Sequence, residues 1–185
     1  PHAGDAPAEL REGRRRLDEV TVEQYAAARA ALVDEPADPA AEELESLANE
    51  RCLTVLSDLK SFTLTTDWPG NRAAADLAAV AIDMELVGDH ACFVSETVAN
   101  GGIDSAGAVT DRLLDVFDAG LSINDHLGAV LFDCALDRID ALYAEEERVH
   151  RELDELFELV TTYDPRTFGD LAAVSRSLER AIYYW

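Results

Sequence analysis

The chain has 185 residues, of which 48% are hydrophobic, so it is long enough to bury one large core or two small ones. Its 38 acidic residues outnumber its 15 basic residues and give a net charge of −23, which repels nucleic-acid backbones and anionic membranes alike. We therefore expect no nucleic-acid partner. The sequence has no run of about 18 apolar residues, so we also expect no membrane insertion.

The basic residues and the cysteines indicate the cellular compartment in which the protein works. Arginine supplies 14 of the 15 basic residues, and Lys60 is the only lysine. This acid-rich, lysine-poor composition is typical of proteins from salt-filled cytoplasms, where hydrated carboxylates keep a surface soluble. Cys52, Cys92 and Cys134 form no CxxC motif and lie in apolar helical patterns, which favours reduced core thiols. We expect a cytoplasmic protein.

Turn signals divide the chain into six predicted helices, and no strand-like alternation of useful length is present in the sequence. Asp38-Pro39 and Asp164-Pro165 are each predicted to open a helix with proline at its first position, and Asn71 is predicted to cap the third helix. Asn100-Gly101-Gly102 predicts a left-handed terminator for that helix. The predicted bounds, in chain order, are about 7–32, 39–65, 71–100, 104–131, 135–162 and 165–185.

The sequence also repeats itself. The segment Asp76–Val80 recurs residue for residue as Asp170–Val174, 94 positions later, and the preceding helices align at a shift of 97. Because self-similarity at a fixed period indicates repeated architecture, we predict an all-α fold of two tandem three-helix bundles. The first unit spans residues 1–102 and the second spans 103–185. The sixth helix reaches Trp185 without a stop signal, so we expect the native chain to continue.

The third predicted helix carries the sharpest polar signal. Glu85 and Asp89 fall on the same stripe as a row of alanines, so we predict that both point at neighbouring helices. Two interior carboxylates four residues apart need an arginine, a shared proton or a bound metal, and the sequence leaves these open. Interior arginines that could serve are Arg51, Arg148 and Arg180. The opposite stripe, predicted to face solvent, consists of Arg72, Asp76, Asp83, His90 and Thr97.

The fifth and sixth helices carry related donors. Glu146 interrupts an apolar heptad, and His150 follows at i+4, which is acceptable spacing for two metal ligands. Glu179 repeats Glu85 in the last helix, although Tyr183 stands where Asp89 would recur. The alternative is a structural histidine with arginine-paired carboxylates. The candidate metal ligands are thus Glu85, Asp89, Glu146, His150 and Glu179.

Motifs for covalent catalysis are absent from the sequence: it has no Gly-rich phosphate loop and no recognisable Ser/His/Asp set. We therefore predict that the protein is not an enzyme. The alternative is a ferritin-like di-metal carboxylate enzyme, which needs a Glu-x-x-His on each of two helices, and only Glu147 with His150 fits. A metal-free structural or interaction bundle is a third interpretation.

The third helix also carries a family resemblance. It reads Asp76-Leu77-Ala78 and then Asp83-Met84-Glu85-Leu86-Val87-Gly88-Asp89-His90-Ala91. This resembles the signature of the PhoU family, an Asp-Leu-Arg segment followed by Asp-Leu-Glu-Arg-Ile-Gly-Asp-His-Ala, with Ala78 and Leu86 in place of its arginines. The second unit retains Leu178-Glu179-Arg180.

The resemblance implies a non-catalytic twin three-helix bundle that regulates phosphate uptake and phosphate signalling. Its implied partners are the ATPase of the phosphate ABC transporter and its sensor kinase, and a homodimer is compatible with it. It further implies iron or zinc at Glu85 and Asp89, with half of that motif at Glu179. Asn49 stands where an acidic residue is expected on the facing helix, so a metal-depleted, protein-binding member is the alternative.

Overall fold

A computed structural model describes residues 8–65, 70–101, 103, 107–162 and 165–185, without the side chains of 71 and 165–168. Every regular element in these ranges is helical, which confirms the all-α prediction. One 3-10 turn, Leu136–Arg138, precedes the fifth helix. The α-helices are Ala8–Ala31 (α1), Ala41–Thr65 (α2), Asn71–Ala99 (α3), Ala108–Asp133 (α4), Ile139–Val160 (α5) and Pro165–Tyr184 (α6).

The six helices form the two predicted three-helix bundles. Helices α1, α2 and α3 pack on one another, and α4 packs on α5 and α6. The second bundle is less closed than the first, because α6 packs more extensively on α3 than on α5. This sideways attachment of α6 decides where the grooves of the molecule lie. None of the described helices combines the length and the apolar character that a membrane span needs.

The hydrophobic cores cross the boundary between the bundles. One cluster fills the first bundle around Leu17 and Val55 and also takes Phe132 from α4. A larger cluster fills the second bundle and includes Tyr25 from α1 and Val87 from α3. Since burying one such side chain stabilises the fold by roughly 1.5–3 kcal/mol, the shared residues join the bundles strongly.

The predicted starts of α2, α4 and α5 are wrong, and so is the predicted N-cap of α3, for local reasons. Helix α2 begins at Ala41 rather than Pro39, and its first turn is held by the Glu43 carboxylate, which accepts a hydrogen bond from the Ala40 amide at 3.2 Å. Gly70, at φ 82°, takes the N-cap position of α3 that was predicted for Asn71. The predicted terminator of α3 is confirmed by Gly101, whose φ is +73°. The predicted start of α6 at Pro165 is confirmed. Helix α4 begins only at Ala108, after Gly107 at its N-cap, and α5 begins only at Ile139, because the preceding residues form the 3-10 turn. Asp104 and Asp164 themselves lie outside the described residues.

The cysteine prediction is correct for two of the three thiols. Cys52 and Cys92 are buried, whereas Cys134 is exposed. Cys134 follows α4 in the left-handed conformation, with φ 56°, and so ends the helix at the surface instead of continuing its apolar face.

Candidate functional site

The predicted pair on α3 lies at the edge of its contact with α2. Glu85 is half-buried, but Asp89, one turn later, is exposed, so the prediction that both point into the interior is wrong for Asp89. Burial raises the pKa of Glu85, and the charges of Asp89 and of Glu45 on α2 raise it further. Glu45 was missed because the repeat alignment pointed to Asn49, one turn farther along the same helix.

These carboxylates lack the arginine partners that the sequence offered. Within the described ranges, neither Glu85 nor Asp89 forms an ion pair. Arg148 instead binds Glu145 at 2.6 Å, and Arg51 donates to the backbone carbonyl of Arg16. The acidic pair is therefore uncompensated, and a cation would relieve it.

The donor geometry for a metal is nevertheless incomplete. Across the described part of the chain, no three His, Cys, Asp or Glu side chains converge as metal ligands would. Cys92 follows Asp89 by about one turn of α3 and is buried, and this burial raises the pKa of its thiol to about 12, which disfavours the thiolate that binds metals. The residues as placed do not fit a multinuclear cluster.

His90 lies against α6 and not on the solvent face where it was predicted. Its Nδ1 atom is 2.8 Å from Ser177 Oγ, and its ring stacks on Tyr184 with 5.8 Å between the ring centres. Burial lowers the pKa of His90, and the charge of Arg180 lowers it further. The neutral imidazole thus joins the two bundles.

The second group of candidate ligands surrounds one cleft in the second bundle. Glu146 and His150 are both exposed on α5, with 3.8 Å between Glu146 Oε1 and His150 Nε2. Glu179 lies across from them on α6 and is bonded to Arg176 at 2.8 Å. The structure therefore brings Glu146, His150 and Glu179 to one surface feature, but not into a common coordination sphere.

This feature, called here the α5–α6 cleft, has a volume of about 550 Å³. It exists because α6 packs mainly on α3, so the end of α6 stands away from the beginning of α5. Its walls are largely apolar and aromatic, with charged groups among them. The lining residues are Ile123, Ile139, Leu142, Tyr143, Glu146, Val149, His150, Leu153, Glu179, Arg180, Ile182, Tyr183 and Trp185.

A second, more open groove of about 470 Å³ runs on the other side of α6, against α3. Asp89 and His90 line it together with Phe93, Ser177 and Arg180. Arg180 lines both the α5–α6 cleft and this groove. Helix α6 therefore separates the two depressions, and Arg180 lies between them.

Comparison of the chain with protein-family models, with curated proteins and with solved structures finds no match. The residues of the chain itself therefore carry the functional proposal.

Proposed function

We propose that this chain is a non-catalytic regulator of phosphate uptake and phosphate signalling that acts through protein–protein contacts of its helices. The observation that carries the proposal concerns the signature on α3, where three of its residues each meet a different helix. Glu85 lies beside α2, Gly88 contacts Gln24 of α1, and His90 is bonded to Ser177 of α6. A motif whose positions meet α1, α2 and α6 supports an architectural role for the family pattern in this chain.

The partners that we propose are the ATPase of the phosphate ABC transporter and its sensor kinase. A surface with a net charge of −23 speeds encounter with basic partner surfaces and is repelled by acidic ones. Binding of these partners should therefore weaken as salt rises, mainly through a slower association rate.

Phosphate uptake in the source organism tests the regulatory role. Deletion of the gene should raise phosphate uptake in excess phosphate, because the proposed restraint on the transporter is lost. The wild-type gene should restore repression, and a variant with Glu85→Gln and Asp89→Asn should restore it less well. The matched control, Asp111→Asn with Asp125→Asn, removes two exposed charges from α4 and should complement fully. Uptake that stays repressed in the deletion strain would refute the proposal.

A metal at Glu85 and Asp89 is a separate part of the proposal, because the acidic pair can meet a basic partner surface with or without a bound metal. The uncompensated charge of the pair supports a bound cation, whereas the missing third donor among the described residues opposes a cluster. Elemental analysis of protein purified without chelator or metal-affinity resin decides between them. Stoichiometric iron or zinc that disappears in Glu85→Ala/Asp89→Ala supports a metal site on α3. Metal that persists in this variant but disappears in Glu146→Ala/His150→Ala would place the site on α5. Metal-free protein would rule out both.

The ferritin-like alternative gains no support from the described residues. A carboxylate-bridged di-metal centre is built from side chains that project into a bundle core. Glu147 and His150, the one Glu-x-x-His in the sequence, are both exposed on α5.

A further inference from the structure

The α5–α6 cleft has the dimensions of a small-molecule site. Its volume of about 550 Å³ falls within the range of roughly 300–1,000 Å³ that is usual for such sites. One turn of an α-helix with its side chains fills roughly 500 Å³, from a diameter of about 10–12 Å and a pitch of about 5.4 Å. The enclosed volume of the cleft is thus about that of a single helical turn, so a small molecule can fill it by itself.

The two most exposed aromatic rings among the described residues lie at the cleft. Tyr143 is 64% exposed and Tyr183 is 83% exposed, one on each wall, and Trp185 contributes to the same lining. The ring of Trp185 also packs on the ring of Tyr25, with 4.6 Å between the ring centres, so the core holds the indole in position. Aromatic rings with accessible faces attract organic cations through the negative face of each π-system.

The charge on the α5 wall of the cleft favours a cation, although Arg180 on the α6 wall opposes it. Glu146 is exposed, and in the described part of the chain its only ion-pair neighbour is His150, which carries charge only when protonated. Glu179 is already neutralised by Arg176. Arg180 is the one permanent positive charge on the lining, and its effect on His90 shows that it also faces the groove across α6. The net charge of −23 adds a negative field around the whole molecule.

We propose that the α5–α6 cleft binds a small organic cation with an apolar body, of the alkylammonium or arylammonium class. The apolar body lies against Leu142, Val149 and Ile182, and the ammonium group lies at the mouth beside Glu146 and the ring of Tyr143. This site does not depend on the regulatory role proposed above, because it uses neither the α3 signature nor a protein partner.

Three probes with the same apolar body and different charge test the site: hexylammonium, hexanol and hexanoate, at constant ionic strength. The chain has two tryptophans, so Trp68→Phe leaves Trp185 as a fluorescent reporter inside the cleft. Hexylammonium should produce a saturable change in emission and bind about five- to tenfold more tightly than hexanol, from one exposed ion pair and a cation–π contact. Calorimetry on the unsubstituted chain measures the same binding without the tryptophan change.

Matched variants separate the cleft from general attraction to an acidic surface. Glu146→Gln should reduce the affinity for hexylammonium about two- to fivefold and leave hexanol binding unchanged. Tyr143→Ala should weaken both, and Glu158→Gln, which removes an exposed charge from α5 outside the cleft, should change neither. Tighter binding of hexanoate than of hexylammonium, no saturable binding of any probe, or an equal loss in Glu158→Gln would each overturn the proposal.

Discussion

Arg14 on α1 is a buried cation with no ion pair among the described residues. Arg14 is only 5% exposed, and its Nε atom has no hydrogen-bond acceptor. Its guanidinium group forms no ion pair within the described ranges. Burial lowers its pKa, and the neighbouring charge of Arg11 lowers it further. The other two arginines of this basic run do balance charge, since Arg15 binds Asp133 at 2.9 Å and Arg16 binds Glu12 at 2.8 Å.

We expect Arg14→Met to stabilise the protein. Methionine keeps a long apolar side chain at this position and removes a charge that no ion pair in the described ranges offsets, so the free energy of unfolding should rise by about 1–3 kcal/mol. Arg15→Met is the control, because that arginine is part of an exposed ion pair and its loss should cost about 0–1 kcal/mol. Urea denaturation measures both. A less stable Arg14→Met protein would show that the guanidinium has a stabilising partner.

Asp18 is a buried carboxylate whose titration should shape the pH dependence of stability. Burial raises its pKa, and the hydrogen bond that Asn124 Nδ2 donates to it at 2.8 Å opposes that rise. Because the folded-state pKa lies above the unfolded value of about 3.9, the folded protein binds this proton more tightly than the unfolded chain does. Its contribution to stability is therefore full below pH 4 and is lost as the pH rises through the folded-state pKa.

Asp18→Asn should be more stable than the wild type at pH 7 and should lose less stability between pH 4 and pH 7. The asparagine Oδ1 can still accept the bond from Asn124, so the change removes charge with little loss of hydrogen bonding. Asp125→Asn, an exposed change on the same helix as Asn124, should leave the profile unchanged. Urea midpoints across this pH range measure the effect. Parallel profiles for Asp18→Asn and the wild type would contradict it.

At the residue scale, sequence periodicity predicts on which side of its own helix a side chain lies. It does not predict which neighbouring helix covers that side. The pattern put Glu85 near a helix contact correctly, because α2 and α3 are adjacent in the chain and pack together. It misplaced His90, because the helix that covers that side of α3 is α6, about 90 residues later. Glu45 was missed for a related reason, since the repeat alignment compares the two copies and does not show which residue of α2 lies near Glu85.

Gly88 allows α1 and α3 to approach closely. A Cβ atom on this residue would lie 2.2 Å from Gln24 Oε1 and 3.0 Å from Gln24 Cδ. Gln24 has little freedom to move, because it is buried and its Nε2 donates to the Ala41 carbonyl at 3.3 Å and to Cys92 Sγ at 3.2 Å. The small residue in the α3 signature thus sets the distance between two helices.

Gly88→Ala should destabilise the protein by about 1–3 kcal/mol through overpacking. In a Gln24→Ala background the same change should cost less, because the clash partner is gone, so a double-mutant cycle should give a favourable coupling. Gly169→Ala on α6 is the control, since its Cβ would contact nothing and alanine should stabilise the helix by up to about 1 kcal/mol. Additive effects in the cycle would place the strain away from Gln24.

At the element scale, the number of helices and most of their bounds could be predicted, because the 3.6-residue period and the Pro and Gly signals are local. Helix ends that depend on a single backbone or side-chain contact could not be predicted. At the start of α2, for example, the carboxylate of Glu43, and not that of Asp38, accepts the backbone hydrogen bond in the first turn. The α5–α6 cleft could not be predicted either. The cleft results from α6 packing mainly on α3 and less on α5. The pattern of a single helix does not show which of two neighbouring helices it will cover.

For the whole molecule, the net charge of −23 outweighs the ion pairs. Most of the arginine pairs in the described part of the chain are partly or largely exposed, such as Arg16 with Glu12 and Arg176 with Glu179, and each is worth about 0–1 kcal/mol. Repulsion acts among many more carboxylates. A chain of this length has a radius of gyration of about 16 Å. The Debye length is about 30 Å at 0.01 M salt and about 3 Å at 1 M, so the carboxylates repel one another across the whole molecule only at low salt.

We therefore expect the melting temperature to rise by several degrees between 0.01 M and 1 M KCl. Salt weakens both the ion pairs and the repulsion, and the repulsion dominates because 38 acidic residues face 15 basic ones. A variant with Asp111→Asn, Asp125→Asn and Glu158→Gln loses three exposed charges and should melt higher in low salt, with a smaller gain from KCl. Sucrose, which strengthens burial without screening charge, should stabilise both proteins equally and so separates the two effects. A melting temperature that is unchanged or higher after desalting would show that attractive pairs, and not repulsion, govern the stability of this surface.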